Sequence, residues 1–529
     1  PPPPPVVVKR TLERVANPAL SPDGRRVVYQ RMPREDWELY VVAADGSSEQ
    51  RLTREIQHDV LPRFLDPGRV LAMMGEARHR RSYLYDLATG ARQRLFHNNT
   101  VRTVAPEYAW APSPDGSRVL ILADRDGNTV SPERGVYLVD LTRRVTTPEV
   151  RARLATNLAT ERRLREGARR AFGPLADSIG ATVADVSVAR IYGYAKDLFG
   201  FDAKHITQPG NRLAIEYLAR TLAMFGYEPE LQWFEPRPGI RTANVIATLR
   251  GSTSPDVTYV VSSHFDSVEP GPGSDDNTSG TTALLEAARV LAARPQPATI
   301  RFAFFTGEEA GLLGSREFVR RAQAAGERIA GALNNDMIGW MNDHRLDNTI
   351  RYSNDGIRDI QHGAALLFTD LITYDSRYYQ STDAAAYYEA YGDIVGGIGS
   401  YPILGNPHYH QSHDVLETVS QRLVAEVSKT TVATLMLLAS SPARPTGLRV
   451  AVAGRDSVAV EWQPAPERGV TGYRVVWGPA EDLQRRTITV TEARAALADA
   501  GPGTVVSVKA VNGRGLESWD WARAEVPRR

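Results

Sequence analysis

Acidic and histidine side chains stand at the ends of several apolar segments of this chain. Glu308 and Glu309 follow the apolar run FAFF (302–305), close to where a buried strand would end. Burying a carboxylate is costly unless it is paired or binds a metal. Three further clusters are HFD at 264–266, SDDN at 274–277 and NNDM at 334–337, and a loop at 407–414 reads PHYHQSHD. Together these side chains favour binding of divalent metal ions.

A two-metal site would use these residues in distinct ways. Five of them form a ligand set of the two-metal type: His264, Asp276, Glu309, Asp336 and His410. Because adjacent residues of an extended segment point in different directions, Glu309 can bind a metal while Glu308 faces the water. The charges of two divalent cations would be balanced by three carboxylates and a bridging hydroxide. Glu308 is then the candidate general base, because metal binding brings the pKa of the water toward neutrality.

The elements that would position these residues alternate between apolar strands and amphipathic helices. Strands are predicted over 257–266, 299–309 and 329–339, and helices over 211–227, 280–293 and 315–326. Such alternation is typical of βαβ units with a mostly parallel mixed sheet, whose ligands bind beyond the carboxyl ends of the strands. Residues 151–440 are therefore predicted to form an α/β domain with a helical lead-in.

The segment before this domain is predicted to be all-β. The turn residues Gly24, Gly68 and Gly116 are 44 and 48 residues apart, and alternating strand patterns follow each turn. A period of this length indicates β-propeller blades. Residues 10–150 resemble TolB-like propeller repeats and would form a partial β-propeller of about three blades, after a Pro-rich leader at 1–9. An unrelated all-β domain is the alternative.

The segment after the α/β domain is predicted to be a β-sandwich. Short alternating strands recur over residues 441–529, and Trp462, Tyr473 and Val508 stand where such a sandwich needs core residues. The segment resembles a fibronectin type III domain, with Thr504 at the place of the aromatic residue of the tyrosine corner. The fold class is therefore multidomain: a partial β-propeller, an α/β domain and a β-sandwich.

Residues 198–435 resemble the co-catalytic di-zinc aminopeptidases of the bacterial leucyl aminopeptidase type. Relatives of that family include glutamate carboxypeptidases, glutaminyl cyclases and the inactive transferrin-receptor domain. The resemblance rests on SSHFDS, GSDDNTSG, FFTGEEAGLLGS, NNDMIG and YHQSHDVLETV. It implies two Zn²⁺ per chain, one bound by His264 and Asp336 and the other by Glu309 and His410, with Asp276 as the bridge.

The resemblance also implies roles for three residues that bind no metal. Asp266 would orient His264, Glu308 would be the general base, and Tyr409 would stabilise the oxyanion. Among the three histidines of the loop, His410 is selected because the family has Asp four residues after the ligand, as in HQSHD. One departure is Ala384, which follows Asp383 where the family often has His.

The resemblance predicts a secreted metallo-aminopeptidase that acts on peptides. A carboxypeptidase or glutaminyl cyclase of the same family is the alternative, and Arg377 is a candidate for the basic pocket that a carboxypeptidase needs. A non-catalytic binding protein is a further alternative, although all five ligands are present.

Cysteine content, net charge and apolar runs restrict the ligands and partners that the chain could have. The chain has no cysteine, which excludes disulfides and thiolate ligands. The net charge of +1 gives no reason to expect nucleic acid as a partner. There is no apolar run of 18 residues, so no membrane span is expected. The start PPPPPVVVKR indicates removal of a signal peptide.

Quaternary structure is predicted from the small number of blades. Propellers close with about four to eight blades, and an open set leaves unpaired strand edges. Either the peptidase domain of the same chain or blades from a second chain would cover them. A second chain would bring the total to about six blades, which favours a homo-oligomer.

Overall fold

The computed structural model of the chain describes residues 5–33, 36–54, 58–75, 80–95, 107–124, 134–341, 344–399, 406–454 and 456–527. The first four residues of the predicted Pro-rich leader lie outside these ranges. The described residues form a strand-rich N-terminal region, a central α/β unit and a C-terminal β-sandwich. These three parts confirm the coarse fold class.

The N-terminal region consists of three antiparallel sheets, which we call the first, second and third N-terminal sheets. Their strand orders are β1-β2-β3-β4, β5-β6-β7-β8 and β11-β10-β9. The strands are β1 (Arg14–Leu20), β2 (Arg26–Met32), β3 (Glu38–Ala43), β4 (Gln50–Arg51), β5 (Asp59–Asp66), β6 (Arg69–Met74), β7 (Arg81–Asp86), β8 (Arg92–Arg94), β9 (Glu107–Pro112), β10 (Arg118–Asp124) and β11 (Arg134–Asp140).

Apolar contacts join the three N-terminal sheets face to face. Val28 and Leu39 of the first sheet share a core with Val70 of the second. The other face of the second sheet packs through Leu71 against Val119 of the third. Among the described residues these sheets do not close into a ring, so the predicted propeller is not confirmed.

The α/β unit is built on one mixed sheet of order β12-β13-β15-β14-β16-β19-β17-β18. Four of its seven neighbouring strand pairs are parallel. The strands are β12 (Glu230–Arg237), β13 (Ile240–Leu249), β14 (Ser254–His264), β15 (Ala298–Phe305), β16 (Ile329–Asp336), β17 (Asp347–Arg351), β18 (Ile372–Ser376) and β19 (Val395–Gly399).

Helices form the lead-in to the sheet and also connect its strands. The described helices are α1 (Thr147–Phe172), α2 (Ala176–Val183), α3 (Val188–Phe199), α4 (Pro209–Met224), α5 (Gly280–Leu291), α6 (Leu313–Ala324), α7 (Asp355–Phe368), α8 (Ala384–Tyr391) and α9 (Gln421–Ser440). Within the described part of the chain, α9 alone is long and apolar enough to cross a membrane, and 94% of its most apolar window is buried.

The three predicted strands of the α/β unit exist, but each of them ends two to four residues earlier than predicted. The strand predicted over 299–309 ends at Phe305 as β15, so Glu308 and Glu309 lie in the loop that follows it. The chain turns at Gly307, whose φ of +70° is unfavourable for residues with a side chain. The two glutamates are therefore presented by a turn rather than by the end of a strand.

The C-terminal part is a sandwich of two antiparallel sheets, of order β20-β21-β24 and β23-β22-β25-β26. Its strands are β20 (Arg449–Val452), β21 (Ser457–Glu461), β22 (Val470–Gly478), β23 (Arg486–Val490), β24 (Arg494–Ala498), β25 (Val505–Asn512) and β26 (Ala522–Glu525). The predicted core residues Trp462, Tyr473 and Val508 are all buried between the sheets.

The sandwich is joined to the α/β unit through a buried contact. Leu516 and Trp519, from the segment between β25 and β26, belong to the apolar core of the α/β unit. The Trp519 Nε1–H donates a hydrogen bond of 3.0 Å to the Tyr259 hydroxyl on β14. Beside them, the Asp520 carboxylate accepts from Asn354 Nδ2 at 2.9 Å. The sandwich thus completes the core of the α/β unit.

We expect Trp519→Ala to destabilise the α/β unit and the sandwich together. Removing a buried tryptophan side chain costs about 3–5 kcal/mol, and here the Tyr259 hydroxyl would also lose its partner. Calorimetry should show a clearly lower melting temperature. The matched control is Trp521→Ala, because Trp521 is only half-buried and stacks with Arg474. Equal melting temperatures for the two variants would contradict a shared core.

Candidate metal centre

The candidate ligands meet at one edge of the sheet. β14 ends at His264 and β16 ends at Asp336, and the loop with Glu308 and Glu309 follows β15. β14 lies between β15 and β16 and is parallel to both. Because the carboxyl ends of parallel neighbours lie side by side, these three elements bring their acidic and histidine residues together.

Asp276 lies between two groups of side chains. It belongs to an irregular turn, Ser274–Ser279, that leads into α5, and the peptide bond between Asp276 and Asn277 is cis. Its Oδ1 is 3.4 Å from His264 Nε2, and its Oδ2 is 3.3 Å from His410 Nε2. The two oxygens of one carboxylate therefore face two different imidazoles.

The first group consists of His264, Glu308 and Asp336, and the second consists of Asp276, Glu309 and His410. In each group the potential ligand atoms lie within 4.8 Å of one another. His264 Nε2 is 3.4 Å from Asp336 Oδ1, and His410 Nε2 is 3.0 Å from Glu309 Oε2. The structure thus brings together all five predicted ligands and Glu308.

Asp266 holds several of these residues in place. Its Oδ1 and Oδ2 accept hydrogen bonds from the backbone N–H groups of Glu308 at 3.2 Å and Glu309 at 3.3 Å. The same carboxylate is 3.5 Å from His264 Nδ1, which also lies 3.2 Å from the Asp266 backbone oxygen. Asp266 therefore connects β14 to the glutamate loop, in addition to the predicted orientation of His264.

Asp414 has a similar role on the other side of the centre. Its two oxygens accept from the backbone N–H groups of Asp275 at 2.8 Å and Asp276 at 3.0 Å. Asp275 in turn accepts from the N–H of Gly339 at 2.7 Å and from Asn406 Nδ2 at 2.6 Å. This network fixes the turn that carries Asp276.

The sequence pattern indicated no role for Asp414 beyond the choice of His410, and none for Lys204. The buried Lys204 ammonium donates to the Pro272 carbonyl, close in sequence to the Asp276 turn. Burial lowers the pKa of Lys204 to about 8, while the charges of Asp414 and Asp266 oppose that shift. Its main partner is a backbone carbonyl 68 residues later in the chain, which no pattern around Lys204 indicates.

Burial of so many acids perturbs their protonation. Burial, with the charge of Asp276, raises the pKa of Glu309 to about 7. Burial also raises the pKa of Glu308 well above its usual range, and the nearby Asp336 and Asp383 add to the shift. For Asp276, burial acts in the same direction, but His264 and His410 outweigh it and lower the pKa.

The imidazoles shift in the opposite direction. Burial disfavours the charged form of His410, yet its contacts with Asp276 and Glu309 raise its pKa to about 10. The pKa of His264 is likewise raised against the effect of burial, first by Glu308. Without added positive charge, the centre can compensate its carboxylates only by holding protons.

These residues fit zinc. Glu309 Oε1 is buried and has no hydrogen-bond partner among the described residues, which leaves this oxygen available to a cation. Nitrogen from imidazole and oxygen from carboxylates are ligands that zinc accepts, and each group combines both types. The set contains no sulfur because the chain has no cysteine.

The remaining candidates lie around the centre or away from it. The Tyr409 ring stacks on the His410 ring with centroids 3.7 Å apart. His408 and His413 are hydrogen-bonded to each other at 2.8 Å, and neither belongs to the two groups. Arg377 follows β18, which stands four strand positions from β14, about 19 Å across the sheet.

Comparison with known families identifies two parts of the chain. Residues 244–435 match the model of peptidase family M28. This central unit is an M28 peptidase domain. Residues 443–524 match the fibronectin type III domain, so the C-terminal sandwich is of that type, as expected from the sequence.

Individual relatives are similar to the chain over part of their length. A probable zinc metalloprotease of Pyricularia oryzae is 28% identical over 56% of this chain and 74% of its own. A probable leucine aminopeptidase of Arthroderma otae is 29% identical over 38% of this chain and 58% of its own. The solved LapA aminopeptidase of Legionella pneumophila is 19% identical with a TM-score of 0.45, and the match covers 50% of this chain and 74% of that one.

The family match and the zinc metalloprotease and aminopeptidase relatives confirm the predicted enzyme class, a zinc-dependent exopeptidase. The match of 244–435 includes all five candidate ligands of the M28 domain, together with Asp266, Glu308 and Tyr409. The roles of the individual residues stay predictions.

We expect Asp414→Ala to weaken zinc binding although Asp414 is not a candidate ligand. Without its carboxylate the turn at Asp276 loses two backbone hydrogen bonds, and loss of such support typically lowers metal affinity about 10–100-fold. Competition with a chelator measures the change. Asp370→Ala is the control, because the exposed Asp370 only pairs with Arg422 at 3.5 Å. An unchanged affinity in Asp414→Ala would contradict this role.

Proposed function

We propose that the chain is an aminopeptidase that uses two zinc ions and a glutamate general base. The observation that carries the proposal is the position of Asp276, whose oxygens face His264 in one group and His410 in the other. A carboxylate between two groups of nitrogen and oxygen donors is the arrangement that two adjacent cations require.

We assign the ligands by their neighbours. His264 and Asp336 would hold one zinc ion, Glu309 and His410 the other, and Asp276 would contact both. Zinc in such a site supplies Lewis acidity and lowers the pKa of a water molecule. The buried oxygen Oε1 of Glu309 would gain the cationic partner that it lacks among the described residues.

Glu308 is the group best suited to move the proton. Burial and the nearby carboxylates of Asp336 and Asp383 raise its pKa, so Glu308 takes up a proton more readily than an exposed glutamate. Its Oε2 is 4.0 Å from His264 Nε2, so it borders the first group. In peptide hydrolysis Glu308 would accept a proton from the attacking water and deliver it to the nitrogen of the breaking C–N bond.

Tyr409 and the charge of the centre support action at the amino end of peptides. Tyr409 is 40% exposed and its ring stacks on that of His410, and we assign its hydroxyl to the substrate carbonyl oxygen. The buried acids around Glu308, including Asp383, favour a substrate ammonium group over a carboxylate. The position of Arg377 across the sheet gives no support to a carboxypeptidase. Secretion stays a prediction.

We expect Asp276→Ala to remove both metal ions, because in this assignment Asp276 is a ligand of both zinc ions. His410→Ala removes a ligand from the second group only, and it should retain about one ion at the same free zinc concentration. Metal content per chain, measured by mass spectrometry after equilibrium dialysis, checks both variants. Loss of only one ion in Asp276→Ala would contradict the bridging assignment.

We expect Glu308→Gln to keep its zinc and to lose about 10²–10⁴-fold in kcat, the contribution typical of general acid–base catalysis. Glutamine keeps the size of the side chain but cannot accept the proton. Glu327→Gln is the control, because Glu327 precedes β16, belongs to neither ligand group and pairs with Arg301 at 3.1 Å. Activity of Glu308→Gln near that of the unchanged protein would show that another group is the base.

We expect hydrolysis to require a free α-amine. Acetylation removes the positive charge that the acidic centre would attract, so N-acetylated peptides should react far more slowly than their free counterparts. Product analysis by mass spectrometry identifies the released residue. Release of C-terminal residues from acetylated peptides would favour the carboxypeptidase alternative, and pyroglutamate formation from N-terminal glutamine would favour the cyclase alternative.

A further inference from the structure

Lys204 is a fully buried lysine that no step of the proposed reaction uses. It lies between α3 and α4, before residue 244, where the match to the M28 family begins. Its ammonium donates to the Asp202 carbonyl at 3.4 Å and also to the Pro272 carbonyl. A buried charge is unfavourable unless such contacts compensate it. The second contact reaches a loop of the metal centre.

The contacts of Lys204 close that loop at both ends. We call residues 267–273 the connecting loop, because they join the end of β14 to the turn that carries Asp276. The Lys204 backbone N–H donates to Ser267 Oγ at 2.9 Å, at the beginning of the connecting loop. The ammonium of the same residue donates to the Pro272 carbonyl, near the end of the loop. One residue thus fixes the distance that the loop spans.

The connecting loop is packed tightly against two segments that carry candidate ligands. At Gly273, whose φ is +59°, a Cβ atom would overlap the Asp276 carbonyl oxygen. At Gly271, a Cβ atom would lie 2.7 Å from the carbonyl oxygen of Gln411, the residue after His410. Because the loop has no free space on these sides, a shift of the loop would displace the backbone on both sides of the second ligand group.

The charge of Lys204 also acts on the two acids that support the centre. Burial lowers the pKa of Lys204, whereas the charges of Asp414 and Asp266 raise it. Asp266 accepts from the backbone N–H of Glu308, and Asp414 accepts from that of Asp276. A single buried ammonium therefore favours the ionised form of both supporting carboxylates, although its own segment carries no candidate ligand.

We propose that Lys204 is a positioning residue of the zinc centre and that it sets the affinity for both zinc ions through the connecting loop. This inference rests on the two-zinc assignment proposed above. A direct effect of its charge would have the opposite sign, because a positive charge repels nearby cations. Loss of Lys204 weakens zinc binding if the residue positions the ligands, and it strengthens zinc binding if the residue acts by its charge alone.

The test is Lys204→Met in the full chain, because methionine has a similar length but cannot donate a hydrogen bond. Competition with a chelator should show that zinc affinity falls about 10–100-fold, as is typical when the support of ligands is lost. The matched control is Lys509→Met in the C-terminal sandwich, where the lysine side chain is 16% exposed and lies 3.9 Å from Glu517. This control should keep the zinc affinity of the unchanged protein.

Melting temperatures with and without zinc distinguish positioning from general support of the fold. A ligand that binds only the folded protein raises the melting temperature by an amount that grows with its affinity. A lysine that only stabilises the fold would affect both melting temperatures alike, so Lys509→Met should leave the increase caused by zinc unchanged. For Lys204→Met this increase should become smaller at the same zinc concentration.

Ser267→Ala makes a smaller change to the same contacts and replaces Lys204→Met if that variant does not fold. It removes the acceptor of the Lys204 N–H and should lower zinc affinity about tenfold. Unchanged or higher zinc affinity in the variant that folds would overturn this inference and leave the two-zinc proposal intact. An unchanged protein that binds no zinc would contradict the two-zinc proposal, and this inference with it.

Discussion

The metal centre depends on concentrating more carboxylates than imidazoles in a buried space. Asp276, Glu309 and Asp336 would be three ligands, and Glu308 adds a fourth carboxylate against two imidazoles. Such charge is stable inside a protein only with protons or cations to compensate it. The raised pKa of Glu309 and the raised pKa of His410 are two expressions of this constraint.

The surrounding structure provides the rigidity that such a centre needs. Asp266 accepts from the backbone of the glutamate loop, and Asp414 accepts from the backbone of the Asp276 turn. Both carboxylates are themselves buried, and the buried ammonium of Lys204 interacts with both. Backbone N–H groups thus partly compensate the supporting acids, while the acids of the two ligand groups keep oxygens for cations. Asp266 in addition contacts the His264 imidazole at 3.5 Å, so it supports one candidate ligand directly.

The candidate ligands could be predicted from the sequence because parallel strands bring their carboxyl ends together. His264 and Asp336 end β14 and β16, so a correct prediction of two strands was enough to place them near each other. Asp414 could not be assigned in the same way, because its partners lie 138 and 139 residues earlier and are backbone groups. Backbone hydrogen-bond donors are present at every residue except proline, so the sequence carries no mark of which ones are used.

Elsewhere in the chain, too, local structure could be predicted from the sequence, whereas contacts between distant segments could not. Hairpins of the N-terminal sheets follow from turn residues such as Gly24 and Gly116, which adopt positive φ. Closure of a propeller depends instead on how sheets meet, which turn residues do not specify. The contact between Trp519 and Tyr259 joins residues 260 positions apart, and no periodicity of either segment indicates it.

Contacts of this distant kind also connect the N-terminal region to the centre. Met74 of the second N-terminal sheet packs on Trp340, just after the strand that ends at Asp336. The Trp340 N–H donates to the Asp275 carboxylate at 3.2 Å, and Asp275 precedes the bridging Asp276. A displacement of this sheet would therefore reach the metal centre through one side-chain contact and one hydrogen bond. The geometry at Asp276 therefore depends on contacts with the second N-terminal sheet as well as on contacts within the M28 domain.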